Sequence, residues 1–203
     1  MSTAVQTFYR YHAHIYDWTR WTILRGRKRA VARLQLRSDS DVLEVGCGTG
    51  LNFRYVLDQL DPERGRLVGV DFSPDMLRRA RKRVAAHGWG NVELVEADAT
   101  ELDLKRRFDG ILFAFSLTLI PDWRAALDRA KQHLKPGGRL VVLDFGQFKN
   151  WGPLGALMRG WLRFHHVETV REYEDGLREV FQDLEVHHWL GDYGLTAVGR
   201  RSE

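Results

Sequence analysis

Cysteine is almost missing from this chain. Cys47 stands alone, so neither an intramolecular disulfide nor a multi-thiolate metal site can form. One buried-type thiol in 203 residues fits a reducing compartment. Long apolar runs are missing too. The longest, Ile111 to Ile120, contains Ser116 and Thr118 and falls far short of the roughly 20 residues that span a bilayer. Met1 to Arg10 has no apolar h-region, so no secretory signal is expected. Proline occurs only five times, and no proline-, glycine- or serine-rich linker, repeat or low-complexity segment divides the chain. What is there, 44% hydrophobic and 29% charged residues, is the composition of one soluble globular domain, expected in the cytoplasm.

Acidic residues are absent from particular stretches, and there the net charge of +4 concentrates. Between Trp18 and Arg37 lie Arg20, Arg25, Arg27, Lys28, Arg29, Arg33 and Arg37 without one Asp or Glu. Arg78, Arg79, Arg81, Lys82 and Arg83 form a second basic run. The stretch Phe145 to Val167 carries Lys149, Arg159 and Arg163, again with no acid. Such faces attract nucleic acid, an anionic membrane surface or an acidic substrate, unless they are plain solvated helix faces.

The middle of the chain alternates short apolar runs with amphipathic ones. Strands are predicted at Asp41–Val45, Arg66–Val70, Val92–Val95, Phe108–Phe115 and Arg139–Phe145. Helices are predicted at 51–60, at 74–87 with Ser73 as N-cap and Pro74 in the first position, and at 122–134. This alternation implies βαβ units, a parallel sheet and helices on both of its faces. Residues 1–37 read as a helical cap, 147–167 as an amphipathic insertion or lid, and 168–203 as a helix followed by two strands. The short Gly191-Asp192 break between those strands suits an antiparallel hairpin at the sheet edge.

The sharpest motif is Glu44-Val-Gly-Cys-Gly-Thr-Gly50, between the first strand and the first helix. Glycines at 46, 48 and 50 permit a tight turn and close approach of backbone to a ligand at a helix N-terminus. A dinucleotide fingerprint needs its third glycine at position 51, which is Leu51, and the lysine of a P-loop is missing. The ligand therefore offers no pyrophosphate or triphosphate here. Asp71 ends the second strand and can accept from both hydroxyls of a ribose; Asp98 follows the third and can accept from an exocyclic amine. Each alone is as well explained by helix capping.

This pattern resembles the class I S-adenosylmethionine-dependent methyltransferases over residues 41–146. The resemblance implies a Rossmann-like α/β fold: a seven-stranded, mostly parallel sheet with an antiparallel edge hairpin, in a single methyltransferase domain over 1–203. It implies S-adenosylmethionine as cofactor, S-adenosylhomocysteine as product, and no metal. By that resemblance Glu44 orients the loop and the methionine amine, Gly46 and Gly48 pass against the methionine part, and Cys47 and Gly50 belong to the same cofactor-binding loop. Asp71 holds the ribose, Phe72 and Met76 flank the adenine, Asp98 and Ala99 bind its edge, and Phe115 and Ser116 border the methyl group.

The acceptor is less plainly written. Phe115-Ser-Leu-Thr-Leu-Ile-Pro121 replaces the Asn/Asp-Pro-Pro-Tyr/Phe motif of base-amine methyltransferases, and no Pro-Cys nucleophile exists, which argues against nucleic acid. Tyr9-Arg-Tyr-His-Ala-His-Ile-Tyr-Asp17 and Thr19-Arg20-Trp21 resemble the N-terminal helix of quinone and phospholipid-headgroup methyltransferases. Together with Ile120-Pro-Asp-Trp123, Leu143-Asp-Phe-Gly146 and Trp161-Leu-Arg-Phe-His165, they are similar to bacterial betaine-lipid N-methyltransferases. That resemblance implies a lipid-headgroup amine as acceptor, Tyr16 capping the cofactor, and Tyr9 and His12 near the amine. The alternatives are a soluble small molecule or quinone precursor, or a binding module that performs no transfer. Trp151, Leu154, Leu157, Met158, Trp161 and Leu162, beside Lys149, Arg159 and Arg163, have the make-up of an interfacial helix or of a lid packed on the sheet. With Arg20 these residues form the expected substrate and membrane side, at the inner face of the cell membrane. His165-His166 and His187-His188 lack the spacing of metal ligands on one helix face.

Overall fold

Four of the apolar runs line up side by side because each is largely buried on both faces, which only a sheet covered by helices allows, and the partly exposed Val92–Glu96 joins them at the edge. The computed structural model describes residues 26–164, 173–181 and 183–202. Tyr9, His12, Tyr16, Arg20, His165 and His166 lie outside the described residues. In chain order come α1 (Arg27–Arg33), β1 (Asp41–Val45), α2 (Phe53–Leu57), β2 (Arg66–Asp71), α3 (Pro74–His87), β3 (Val92–Glu96) and β4 (Phe108–Ala114). Then follow α4 (Trp123–Gln132), β5 (Leu134–Phe145), α5 (Gly152–Phe164), α6 (Tyr173–Val180), β6 (Leu184–Trp189) and β7 (Gly194–Arg200). The strand order is β3-β2-β1-β4-β5-β7-β6, with β7 antiparallel to both neighbours. This is the expected seven-stranded Rossmann-like sheet, with one refinement: the last strand in sequence is internal. Burial explains it. Gly194–Arg200 is buried along most of its length, whereas Leu184–Trp189 alternates with exposed Glu185, His187 and His188 and so suits an edge.

The order reverses between β1 and β4, and the register brings their ends level: Val45 pairs with Val70 on one side and Phe113 on the other. The loops after β1, β2 and β4 therefore converge at one end of the sheet, where open α/β sheets hold ligands. Alternation along β1 sends Val42 into a core with Ala30, Val31, Phe53 and Leu77, and Leu43 into a second core with Trp123, Leu127, Leu177 and Phe181.

The local chemistry of α3 is as expected. The Ser73 hydroxyl accepts from the Met76 amide, Pro74 opens the helix, and Gly88 closes it with φ 66°. The first helix of the core is shorter than expected: only 53–57 is α-helical, and the Gln59 and Leu60 amides bond three residues back, to Val56 and Leu57. The apolar stripe of 151–162 is divided rather than continuous. Leu162 is buried and Met158 half-buried toward the core, Trp151 packs among aromatic rings, and Leu154, Leu157 and Trp161 face outward.

Candidate active site

A cavity of about 340 Å³ opens at the convergent end of the sheet. Its walls come from the turn after β1 (Gly46, Cys47, Gly48), the tip of β2 (Asp71, Phe72), Met76 of α3, Asp98 and Ala99 after β3, and Phe115 and Ser116 after β4. Residues scattered over seventy positions of sequence thus meet at one place. Gly50 turns instead toward a second, larger groove, and Glu44 lies behind the cavity, buried in β1. Gly46 has φ +69°, and a Cβ built there would sit 2.5 Å from the Ser116 Cβ. Only glycine lets the β1 and β4 tips close on each other.

Glu44 is the most unusual group. It is 1% exposed, and its Oε1 accepts from the Asn52 amide at 2.5 Å. Its Oε2 is buried with no hydrogen-bond partner. Burial pushes the Glu44 carboxyl up to about 7, with Asp71 adding to the rise and Asn52 and Arg27 opposing it. Asn52 is in turn held by Arg27, whose guanidinium donates to its side-chain oxygen at 2.5 Å and lies 5.3 Å from the Phe115 ring centre. A relay therefore runs from α1 through Asn52 to the glycine loop. Arg27 and Asn52 were not singled out by the motif. The contacts that make them functional cross 25 and 8 positions and leave no mark in local spacing.

The two predicted carboxylates first serve the backbone. Asp71 accepts from the Gly48 amide at 2.8 Å and the Ser73 amide at 2.9 Å, tying the glycine loop to the start of α3. Asp98 uses Oδ1 to accept from the Thr100 amide and hydroxyl. Both line the cavity while doing so. Cys47 is buried, and burial beside Asp71 and Glu44 raises its thiol well above the ordinary range, which removes it as a nucleophile.

The β4 tip is strained and braced. Phe115 has φ 57°, a left-handed conformation that costs a phenylalanine about 1–3 kcal/mol. The Ser116 hydroxyl donates to the Val45 carbonyl at 2.8 Å. Asp144 of β5, 2% exposed, accepts from the Thr118 amide at 3.1 Å, the Thr118 hydroxyl at 2.8 Å and the Phe145 amide. Burial pushes its carboxyl up to about 6 against the pull of those bonds.

Residues 42–138 match the family model of the methyltransferase domain. Just under half of the chain is thus similar to a methyltransferase domain, and the sheet has the class I methyltransferase fold. It is 33% identical over 125 residues to the demethylmenaquinone methyltransferase of Listeria monocytogenes serotype 4a (strain HCC23), across 61% of this chain and 52% of that protein. It is 35% identical over 122 residues to the demethylmenaquinone methyltransferase of Staphylococcus aureus (strain JH9), across 60% and 49%. The chain spans about half the length of these relatives. In fold it is similar to the N-methyltransferase NodS from Bradyrhizobium japonicum WM9 in complex with S-adenosyl-L-homocysteine, with a TM-score of 0.67, 24% identity, and 88% and 87% of the two chains covered.

Class I methyltransferase domains use S-adenosylmethionine, and the residues present suit it. The unpartnered Glu44 Oε2 is a buried acceptor for an ammonium group, and the Gly46 turn lets the β1 and β4 tips meet beside the cavity where a Cβ against Ser116 would force them apart. Among the described residues no three His, Cys, Asp or Glu side chains cluster as a metal site would require. Of the expected substrate-side residues, Trp161 is exposed, while the Arg159 guanidinium donates to the Gln147 carbonyl at 3.1 Å. The Arg163 side chain lies outside the described residues.

Proposed function

We propose that this protein transfers the methyl group of S-adenosylmethionine to a small, flat, largely apolar acceptor of the quinone-precursor kind. The observation that supports this reading is a run of packed aromatic rings that begins at the cavity wall with Phe115 and continues into the core. Phe115 at the β4 tip lies 5.1 Å from Phe145, Phe145 lies 6.0 Å from Tyr193, and Tyr193 lies 5.8 Å from Trp151, nearly parallel to it. The Phe115 ring at the cavity wall, backed by the others, favours a planar partner by stacking and by apolar burial. The names of the Listeria and Staphylococcus relatives support the same acceptor class.

Bound S-adenosylmethionine supplies an electrophilic sulfonium methyl. In this reading Glu44 pairs with the donor's ammonium, and Gly46, Cys47 and Gly48 offer backbone to its amino-acid part. Asp71 accepts from the ribose, while Phe72, Met76, Asp98 and Ala99 enclose the adenine. Phe115 and Ser116 exclude water at the methyl end. As the S–CH3 bond breaks and methyl bonds to the acceptor, the thioether leaves neutral and needs no acid, and the acceptor's displaced proton passes to solvent, so alignment in the pocket supplies most of the acceleration. The test is incubation with methyl-labelled donor and a demethylated quinone precursor. Label in the quinone is expected; a donor that binds yet is never consumed overturns the reading.

A second reading, a lipid-headgroup amine methylated at a membrane surface, is favoured by one feature. The large apolar residues exposed among the described ones are Leu154 (54%), Leu157 (70%) and Trp161 (48%) on one face of α5, and Leu190 (58%) in the turn after β6. That face suits the headgroup layer of an anionic leaflet. No helix among the described residues is long and apolar enough to cross a membrane. Flotation on phosphatidylglycerol vesicles is expected under this reading; full activity on a dissolved acceptor without flotation eliminates it.

A further inference from the structure

Of the basic run at the start of the described chain, Arg27 reaches the donor cavity while Lys28, Arg29 and Arg33 do not, yet the run does not scatter into solvent. It lines a groove of about 1110 Å³ between α1, α2, the end of α3 and the end of β6. Arg27, Lys28, Arg29 and Arg33 come from α1, Arg54 from α2 and Arg83 from α3, and among the described residues no Asp or Glu lines the same space. A concave wall of one sign focuses potential and draws an anion. Compensation is sparse. Arg33 reaches Glu185 at 3.5 Å with both side chains about half exposed, and Arg54 lies over the Tyr55 ring and donates to its hydroxyl. Among the described residues Lys28, Arg29 and Arg83 make no ion pair, and the Arg83 Nε is buried without a hydrogen-bond partner. A buried donor left open is costly, so it points to a missing acceptor.

The groove is also half apolar. Trp89 stacks on His87 at 4.4 Å, and Trp189 closes the opposite end. Arg27 and Leu51 line both this groove and the donor cavity, and Arg27 lies over the Phe115 ring. A molecule held by the cations therefore has its other end at the methyl-donor wall. A concavity of this size takes a small amphiphile, whereas nucleic-acid sites track a backbone along an open face.

We propose that this groove binds the phosphate or pyrophosphate of an amphiphilic acceptor, whose apolar body lies along Trp89 and Trp189 and whose reactive end reaches the donor cavity past Arg27. The assignment rests on the methyl-transfer reading for its role, but the anion site itself is measured without any donor. Tryptophan fluorescence is followed while inorganic pyrophosphate is titrated at physiological ionic strength. In parallel, flotation is measured on phosphatidylcholine vesicles with and without phosphatidylglycerol. Saturable pyrophosphate binding identifies a dissolved phosphate ester as source; binding only to phosphatidylglycerol vesicles identifies a lipid headgroup. In either case K28A/R29A, on the exposed side of α1, and Arg83→Gln are expected to weaken binding by about tenfold or more each, as loss of a charge-assisted contact implies. S-adenosylmethionine affinity is expected to change less than about twofold in K28A/R29A, because neither residue lines the donor cavity. Failure of both probes, or binding that the substitutions leave unchanged, overturns the proposal. An oligonucleotide that binds where both probes fail overturns it in favour of nucleic acid. Pyrophosphate binding by a protein that never consumes the donor keeps the anion site and discards methyl transfer instead.

Discussion

The donor cavity and the groove beside it are built with opposite charge. Asp71 and Asp98 line the cavity, with Glu44 buried behind it and Asp144 behind the β4 tip; Lys28, Arg29, Arg54 and Arg83 line the groove, and Arg27 lines both. The carboxylates stand at strand ends whose register is fixed by the sheet, and they spend part of their bonding capacity holding loops. Of the cations, Lys28, Arg29 and Arg83 make no ion pair among the described residues. One region is shaped to read a cationic, hydroxyl-rich cofactor; the other attracts an anion and constrains it far less. The two meet at Arg27, through Asn52 and Phe115.

The largest effect expected from separating these regions is on donor binding. Asp71→Ala removes the acceptor of the Gly48 and Ser73 amides along with the ribose acceptor, and is expected to weaken S-adenosylmethionine by about a hundredfold or more, as loss of two charge-assisted bonds implies. Calorimetry on this variant beside K28A/R29A checks it; equal losses in both would erase the distinction between the regions.

Glu44 gives the next effect. With its carboxyl near 7, the ionised form that pairs with an ammonium is about one-tenth populated at pH 6 and nine-tenths at pH 8. Donor affinity is expected to rise about tenfold over that interval, and Glu44→Gln to flatten the rise. Stability of the unliganded protein runs the other way. Glu44 and Asp144 both titrate above the ordinary carboxyl range, so the stability they contribute is present at low pH. It is lost as pH rises through about 6 for Asp144 and about 7 for Glu44. Thermal melts across that range, repeated with Glu44→Gln, measure it.

Thr118→Val is a smaller perturbation. It takes the hydroxyl from a buried Asp144 oxygen and is expected to cost about 1–3 kcal/mol in urea unfolding, with donor affinity retained. The smallest effect is expected at Trp161→Ser, where an exposed side chain changes stability by less than about 0.5 kcal/mol. If flotation on anionic vesicles exists, that same change abolishes it; a large loss of stability would mean the face is covered.

The same contrast governs what can be read from sequence. The glycine loop, Asp71 and Asp98 were legible because strand-tip chemistry is local: glycine spacing, a carboxylate after an apolar run, Ser73-Pro74 opening a helix. The link from Arg27 through Asn52 to Glu44 was not, since it joins α1 to β1 across chain positions that share no periodicity. Nor was the bracing of Thr118 by Asp144, which depends on β5 lying beside β4. The 151–162 stripe was visible as apolar spacing. Which of its residues turn inward depends on the rings of Phe148 and Tyr193, and these reach Trp151 only through the tertiary fold. The place of β7 inside the hairpin likewise follows from burial, which alternation alone does not order.

The most direct test of the donor-site account is a crystal structure with S-adenosylhomocysteine bound. The account predicts the methionine nitrogen within hydrogen-bond distance of Glu44 Oε2 and the ribose hydroxyls on Asp71, with the Lys28–Arg29 side of the groove empty of that ligand. Density for the ligand among the cations of α1, with Glu44 Oε2 still unpartnered, would contradict it.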